Sequence, residues 1–380
     1  MTQATGASRK PRDTRIDLIR GFALATIYIN HVPGTVWEHF TTRNFGFSDA
    51  AEAFVMISGV SAALAYGRYF GPGPWWQGLW RCWGRAWMLY LVQMLISVVV
   101  LGLIAAVLRF AQTPEMMGQD NFQALIEDPI GVFIGLPLLL HQFGYINILT
   151  LYIVLILAAP LILWGGRREP LITFACALGL WLFAGIARVN LPTYPGAGQW
   201  FLNPFSWQLI FVIGALIGLR LAEGERLVPV RPWITALALA YAILAALWVQ
   251  IDAVREAGNQ VMVWLANLGL PRVITNFNKT YLELPRLLHI LSLAWLVSVL
   301  PGFARWSGSR WFEPLSVMGR QALPIFALGT VLSFAARAVL TIDGAPSAAL
   351  EAAVIWGGLA LLVGFAYTRE WALRHARMAR

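Results

Sequence analysis

The chain has 380 residues, 58% of them hydrophobic and only 12% charged, with a mean hydropathy of +0.65 and a formal charge of +9. That balance lies far outside the range of a soluble domain and defines an all-α, polytopic transmembrane protein. It excludes a nucleic-acid binder, because nearly all the cations are arginines in short loops between apolar segments, where they set membrane orientation.

The N-terminus is polar and basic, with Arg9, Lys10, Arg12 and Arg15, and the first apolar segment carries Asp17 and Arg20. This is not the clean short core of a cleavable signal, so the segment is expected to stay as an anchor. Residues 1–15 read as a cytoplasmic tail, 16–368 as one transmembrane domain and 369–380 as a second cytoplasmic tail. Apolar runs long enough to cross a core of about 30 Å begin near Ile16, Asp49, Arg85, Tyr145, Pro170, Pro204, Pro232, Arg286, Gln321 and Ala348. They predict a helical bundle of about ten spans with both termini cytoplasmic. The run at residues 129–140 is short and holds Gly135 and Pro137, which suits an interfacial or re-entrant piece.

Charge supports this division. Nineteen cations then fall on inner segments and eight on outer ones, leaving Arg20 within a span, as the positive-inside rule requires. An eleventh span at residues 129–140 would place Arg167 and Arg168 outside. Trp75, Trp76, Trp80, Trp83 and Trp87 cluster at the inner face, as rings of an interfacial belt should. The polar stretches near residues 112–128 and 252–285 lie outside and are placed to cover a cavity mouth. Cys82 and Cys176 sit in or beside different apolar segments, with neither metal-ligand spacing nor disulfide logic, and no metal is expected.

The first span concentrates costly groups. Arg20 and His31 are eleven residues apart, which on a helix brings both to within roughly 20° on one face, about 16 Å apart in rise. An ionisable residue at membrane depth needs a partner or a wet cavity and is a functional hypothesis by default. After His31, Val32-Pro33-Gly34 should break the helix just above the imidazole. Asp17 and Arg20 have the spacing of an ion pair, and Asp17 either eases burial of Arg20 or aims it at the pantetheine or phosphate end of a cytosolic donor. Arg85 and Arg320 stand at inner helix ends, where guanidinium groups suit phosphates or simply set topology. Asp49 and Glu52 have capping-box spacing at the start of the second span. Alternatively one of the two accepts the other imidazole proton and makes His31 a competent base, and both roles are compatible. On the outer side Asn203, Trp207 and Gln208, with Lys279, Arg286 and His289, offer amides, an indole and cations for a sugar or an acyl carboxylate, or else serve as caps and anchors. Phosphate-cradling P-loops, zinc-binding H-E-x-x-H and serine-hydrolase elbows are absent.

The runs Arg15-Ile16-Asp17-Leu18-Ile19-Arg20-Gly21, Asn30-His31-Val32-Pro33, Phe45-Gly46-Phe47-Ser48-Asp49-Ala50-Ala51-Glu52 and Ser58-Gly59 resemble the OpgC-type glucan succinyltransferases, a branch of the type-three membrane acyltransferases. The likeness continues through Leu202-Asn203-Pro204-Phe205-Ser206-Trp207-Gln208, Asn278-Lys279-Thr280 with Arg286 to His289, and Met318-Gly319-Arg320-Gln321-Ala322-Leu323-Pro324, so it covers nearly the whole chain. What the resemblance implies is an inner-membrane O-acyltransferase in the lipid bilayer, moving a succinyl group from cytosolic succinyl-CoA, a co-substrate and not a bound cofactor, to hydroxyls of periplasmic glucans. The superfamily's functional histidine and arginine map onto His31 and Arg20. His31 is then the expected general base, with Asp49 or Glu52 stabilising the imidazolium and transfer direct rather than through an acyl-histidine. Two alternatives remain open: a transporter or flippase with a proton relay through Asp17, Arg20, His31 and Glu52, and an O-acetyltransferase acting on another surface glycan. The sequence leaves the oligomeric state unassigned.

Overall fold

The computed structural model describes residues 13–113, 118, 120–344 and 346–378. Residues 1–12 of the expected tail, with Arg9, Lys10 and Arg12, and Arg380 at the other end, lie outside the described residues. Helices make up the fold, and the one β-type feature among the described residues is an isolated bridge between Pro192 and Gln199.

Asp13 starts the first helix, its carboxylate accepting from the Arg15 amide at 3.0 Å, so α1 (Thr14–Asn30) opens inside the expected tail. α2 (Ala50–Tyr66) begins where the sequence places it, with Asp49 and Glu52 closing the capping box. α3 (Trp75–Phe110) is 36 residues long, about 54 Å by helical rise, and begins ten residues before the expected Arg85. Its first four turns carry the tryptophan belt, all five rings exposed. Two short helices follow, α4 (Ala124–Glu127) and α5 (Pro129–Gly135); the seven residues of α5 are too short to span.

α6 (Asn147–Arg168), α7 (Pro170–Ala187), α8 (Pro204–Glu223) and α9 (Pro232–Gln250) are long and apolar. Pro170, Pro204 and Pro232 each sit in the first turn, where the missing N–H costs nothing. α10 (Asp252–Asn267) and α11 (Arg272–Thr275) occupy the stretch that the sequence reads only as polar. α12 (Leu284–Val299) and α13 (Pro301–Ser307) form a pair bent by 70°. α14 (Glu313–Arg320) leads into α15 (Ala322–Asp343) and α16 (Ala348–Met378). The expected C-terminal tail from 369 is therefore helical as far as Met378.

Among the described residues, eight helices are long and apolar enough to cross a membrane: α2, α3, α6, α7, α8, α9, α15 and α16. The bent α12–α13 pair would be a ninth; α2 reaches that length through a 3-10 turn that carries it on to Phe70, 21 residues in all, whereas α1 stops at 17 residues and carries Asp17 and Arg20. All ten expected starts nevertheless fall on a helix or its cap.

Small residues let the central helices touch. α2 crosses α8 where a methyl on Gly59 would strike the Phe211 carbonyl and one on Gly214 the Met56 carbonyl. Gly214 and Gly218 stand four apart, the small-xxx-small pattern of close helix contacts in lipid. α1 crosses α14 in the same manner, with Gly21 against the Leu315 carbonyl and Gly319 against that of Asp17. Overpacking of cores typically costs about 1–3 kcal/mol. Gly214→Leu, which drives a side chain into backbone, is expected to reach the top of that range and to lower the thermal midpoint and folded yield in detergent. Gly84→Ala, at a position with open space around it, should leave both unchanged.

Candidate active site

His31 ends α1. Its backbone N–H bonds back to Ile27 and Tyr28, each at 3.2 Å, and its ring Nδ1 lies 2.6 Å from the Ile27 carbonyl. A carbonyl only accepts, so Nδ1 carries the hydrogen and, in the neutral ring, Nε2 keeps the lone pair. The ring also stacks on Tyr145, centroids 3.4 Å apart. Tyr145 is fixed in turn by α15: its hydroxyl bonds Ser333, and its ring lies parallel to Phe334 at 6.0 Å. On the same helix Arg337 covers Phe334 at 5.3 Å and pairs with Asp120. Lys279, Asp49 and Arg337 are all close enough to His31 to act on it electrostatically.

The carboxylate expected on His31 is not bonded to it. Asp49 caps Ala51 at 2.8 Å and pairs with Lys279 at 2.5 Å, while Glu52 accepts from the Asp49 amide at 3.0 Å and from Arg286 Nε at 2.8 Å. Both are consumed at the start of α2, and a backbone carbonyl does the orienting instead. Sequence spacing had no means of favouring the carbonyl, because every helical histidine has one four residues back.

At the Arg20 end of the bundle lies a cavity of about 330 Å³. Arg20, Arg85 and Arg320, all singled out from sequence, line it together, and Arg369 of α16 joins them. Arg20 is held by Ser61 and by the Gly319 carbonyl at 3.3 Å; Asp17 lies 3.9 Å away and is not in the cavity wall. Arg320 pairs with Glu370 at 2.9 Å and Arg369 donates to Gln321. The wall follows one face of α2 from Tyr66 to Phe54, about 18 Å by rise. Phe54 and Phe326, ring centroids 6.4 Å apart, stand at its deep end, and Tyr145 meets Phe326 at 6.3 Å from the other side. His31 thus lies outside the cavity lining, linked to it through Tyr145 and then Phe326.

The opposite end holds a second cavity of about 340 Å³, lined by Arg43, Asp49, Trp248, Arg255, Phe277 and Arg286 among others. The Phe45-to-Glu52 block is legible here as a folded unit. Gly46 abuts the His289 ring, Phe47 packs on Trp248 and Phe277, and Ser48 donates its amide to His289 Nδ1 at 3.1 Å. Asp49 and Glu52 then take Lys279 and Arg286. Gly46, Phe47, Ser48, Asp49 and Glu52 of the block all meet the segment from 277 to 289, pinning the start of α2 to that of α12.

Of the six residues expected at the outer mouth, Arg286 alone lines the cavity. Asn203 caps Phe205 and donates to the Val189 carbonyl, Trp207 donates to the Lys279 carbonyl at 3.0 Å, and Gln208 donates to that of Ala177 at 2.7 Å. With His289 on Ser48 and Lys279 on Asp49, these groups tie neighbouring segments together rather than line the cavity. The sequence reading missed Trp248, Phe277, Tyr145 and Arg369. Aromatic residues in apolar helices give no local sign of facing inward, and Arg369 looks like any terminal topology charge.

An apolar helical bundle with an arginine-lined cavity at one end, an aromatic and charged one at the other, and an oriented imidazole between them defines a multi-pass membrane protein with polar machinery inside the bundle. The family model described as OpgC protein matches residues 12–374, and the chain belongs to that family. No curated protein and no solved structure matches it. Family membership suggests a glucan-modifying acyltransferase embedded in the membrane.

Proposed function

We propose that the chain is a bacterial inner-membrane O-succinyltransferase with ten spans and both termini in the cytosol, using succinyl-CoA from the cytosol and glucan hydroxyls from the periplasm. The observation that carries this reading is His31, whose ring is held with Nε2 as its basic nitrogen behind Tyr145 and Phe326 at the deep end of an arginine-lined cavity. Arg20, Arg85, Arg320 and Arg369 suit the phosphates of the donor, and the first turn of α15 lies in the same wall, where helix N-terminal amides favour an anion. The 18 Å face of α2 suits an extended thioester arm, and rotation of Phe54 and Phe326 would admit its acyl end to His31.

In the reaction, Nε2 of His31 takes the proton of a sugar hydroxyl as that oxygen attacks the thioester carbonyl carbon. The tetrahedral intermediate collapses with cleavage of the C–S bond, and the imidazolium returns its proton to the departing thiolate. The products are the sugar ester and free CoA. For the acyl carboxylate Lys279 is the better partner than Arg286, since its counterion Asp49 is 16% exposed and can exchange, whereas Arg286 neutralises a fully buried Glu52. Trp248 and Phe277 supply ring faces for the acceptor.

The test is transfer itself. Purified protein in detergent, given labelled succinyl-CoA and a short glucan, should produce labelled ester that a protein which only translocates would not make. Competition with acetyl-CoA reads the donor preference, and acetyl transfer outpacing succinyl transfer overturns the succinyl assignment.

A further inference from the structure

We propose that Glu370 is a built-in competitor for the donor's phosphates: it holds Arg320 in an ion pair that an incoming phosphate must exchange, so that α16 sets donor affinity at this cavity. The inference rests on the donor reading given above. Four arginines line the cavity, and Glu370 contacts one of them twice, at 2.9 Å from Nη2 and 3.3 Å from Nε of Arg320. This is the face of the guanidinium that a phosphate would take in two-point contact.

Exposure of the pair suits exchange. The two side chains are 23% and 17% exposed, so neither ion is sealed from water and the carboxylate can leave without a large desolvation barrier. Glu370 also has a second partner, Arg374 at 2.7 Å, one turn further along α16 and 70% exposed. A phosphate that takes Arg320 therefore leaves Glu370 still paired. Stranding of a charge, the usual cost of breaking a partly buried pair, is avoided. Arg369, the neighbour of Glu370, lines the cavity and donates to Gln321 in the same wall. One turn of α16 thus brings to the mouth both a cation for the ligand and an anion that opposes it.

The probe is coenzyme A, with its dissociation constant measured on the full-length protein in detergent at fixed ionic strength. Glu370→Gln is expected to bind it about fivefold more tightly, the scale of one partly exposed charge pair of about 1 kcal/mol. Arg320→Gln should bind it more weakly, and adding Glu370→Gln to that variant should bring no further gain, because the competitor then has nothing to compete for. Glu370→Ala removes the same charge and serves if the glutamine variant is not recovered. Unchanged or weaker binding by both Glu370 variants overturns the proposal, as does an equal gain in the Arg320→Gln background. A wild-type protein that binds no coenzyme A refutes the donor reading itself, and that failure shows before any substitution is made.

Discussion

Replacing His31 with alanine is expected to reduce kcat for acyl transfer by a factor of about 10² to 10⁴, the usual contribution of a positioned general base. Coenzyme A affinity should hardly move, because His31 is not in the wall of the arginine cavity. That separation gives the experiment its meaning, since a variant that had merely misfolded would lose both. The ring makes one hydrogen bond and one stack, to the Ile27 carbonyl and to Tyr145, so its removal exposes no buried charge. Retention of more than about a tenth of wild-type kcat by a folded His31→Ala protein would refute the general-base role.

Much of the arrangement around that residue was legible from the chain. The Asp49-to-Glu52 spacing announces the capping box that starts α2, and the prolines announce α7, α8 and α9. The Arg20-to-His31 interval places one residue in the cavity wall and the other about three turns further along α1, outside its lining, and Arg85 and Arg320 do meet Arg20 at one wall. Those signals are local or depend on helical period, which is what a sequence displays.

What failed to show depends on the tertiary approach of distant segments. Tyr145 meets His31 across 114 residues of chain, and Arg369 reaches its cavity only because α16 continues past the bilayer-length run that marks it. α10 was concealed by charge: with Asp252, Arg255 and Glu256 the stretch reads only as polar, yet it forms a helix that packs on α9, where Gly258 sits against the Trp248 ring and Val254, Met262 and Leu265 are half-buried. α3 was read short because Arg81 and Arg85 resemble the end of a loop, whereas a helix of 36 residues carries them beyond the apolar core.

Breaking the pair between Glu52 and Arg286 is the second large effect expected. Arg286→Ala leaves a fully buried carboxylate with the Asp49 amide as its remaining hydrogen-bond donor and with the Asp49 carboxylate close by. Removing one partner of a buried pair typically costs about 3–5 kcal/mol, enough to abolish much of the folded population of a marginally stable protein. Thermal melting in detergent should therefore show a fall of many degrees for Arg286→Ala. The fall should be smaller for Glu52→Gln, which keeps a hydrogen-bonding amide beside the guanidinium. Replacing both residues by apolar ones of similar volume, Glu52→Leu with Arg286→Met, should recover most of the stability, because the desolvation of two buried charges offsets most of what their pairing returns. The outcome also decides between two roles for Glu52. If Glu52→Leu with Arg286→Met melts like wild type and still transfers acyl groups, Glu52 is a framework residue that fixes the start of α2. If it melts like wild type but transfers nothing, one member of the pair is needed for transfer, and Glu52→Gln, which keeps Arg286 in the cavity wall, then tells the carboxylate from the guanidinium.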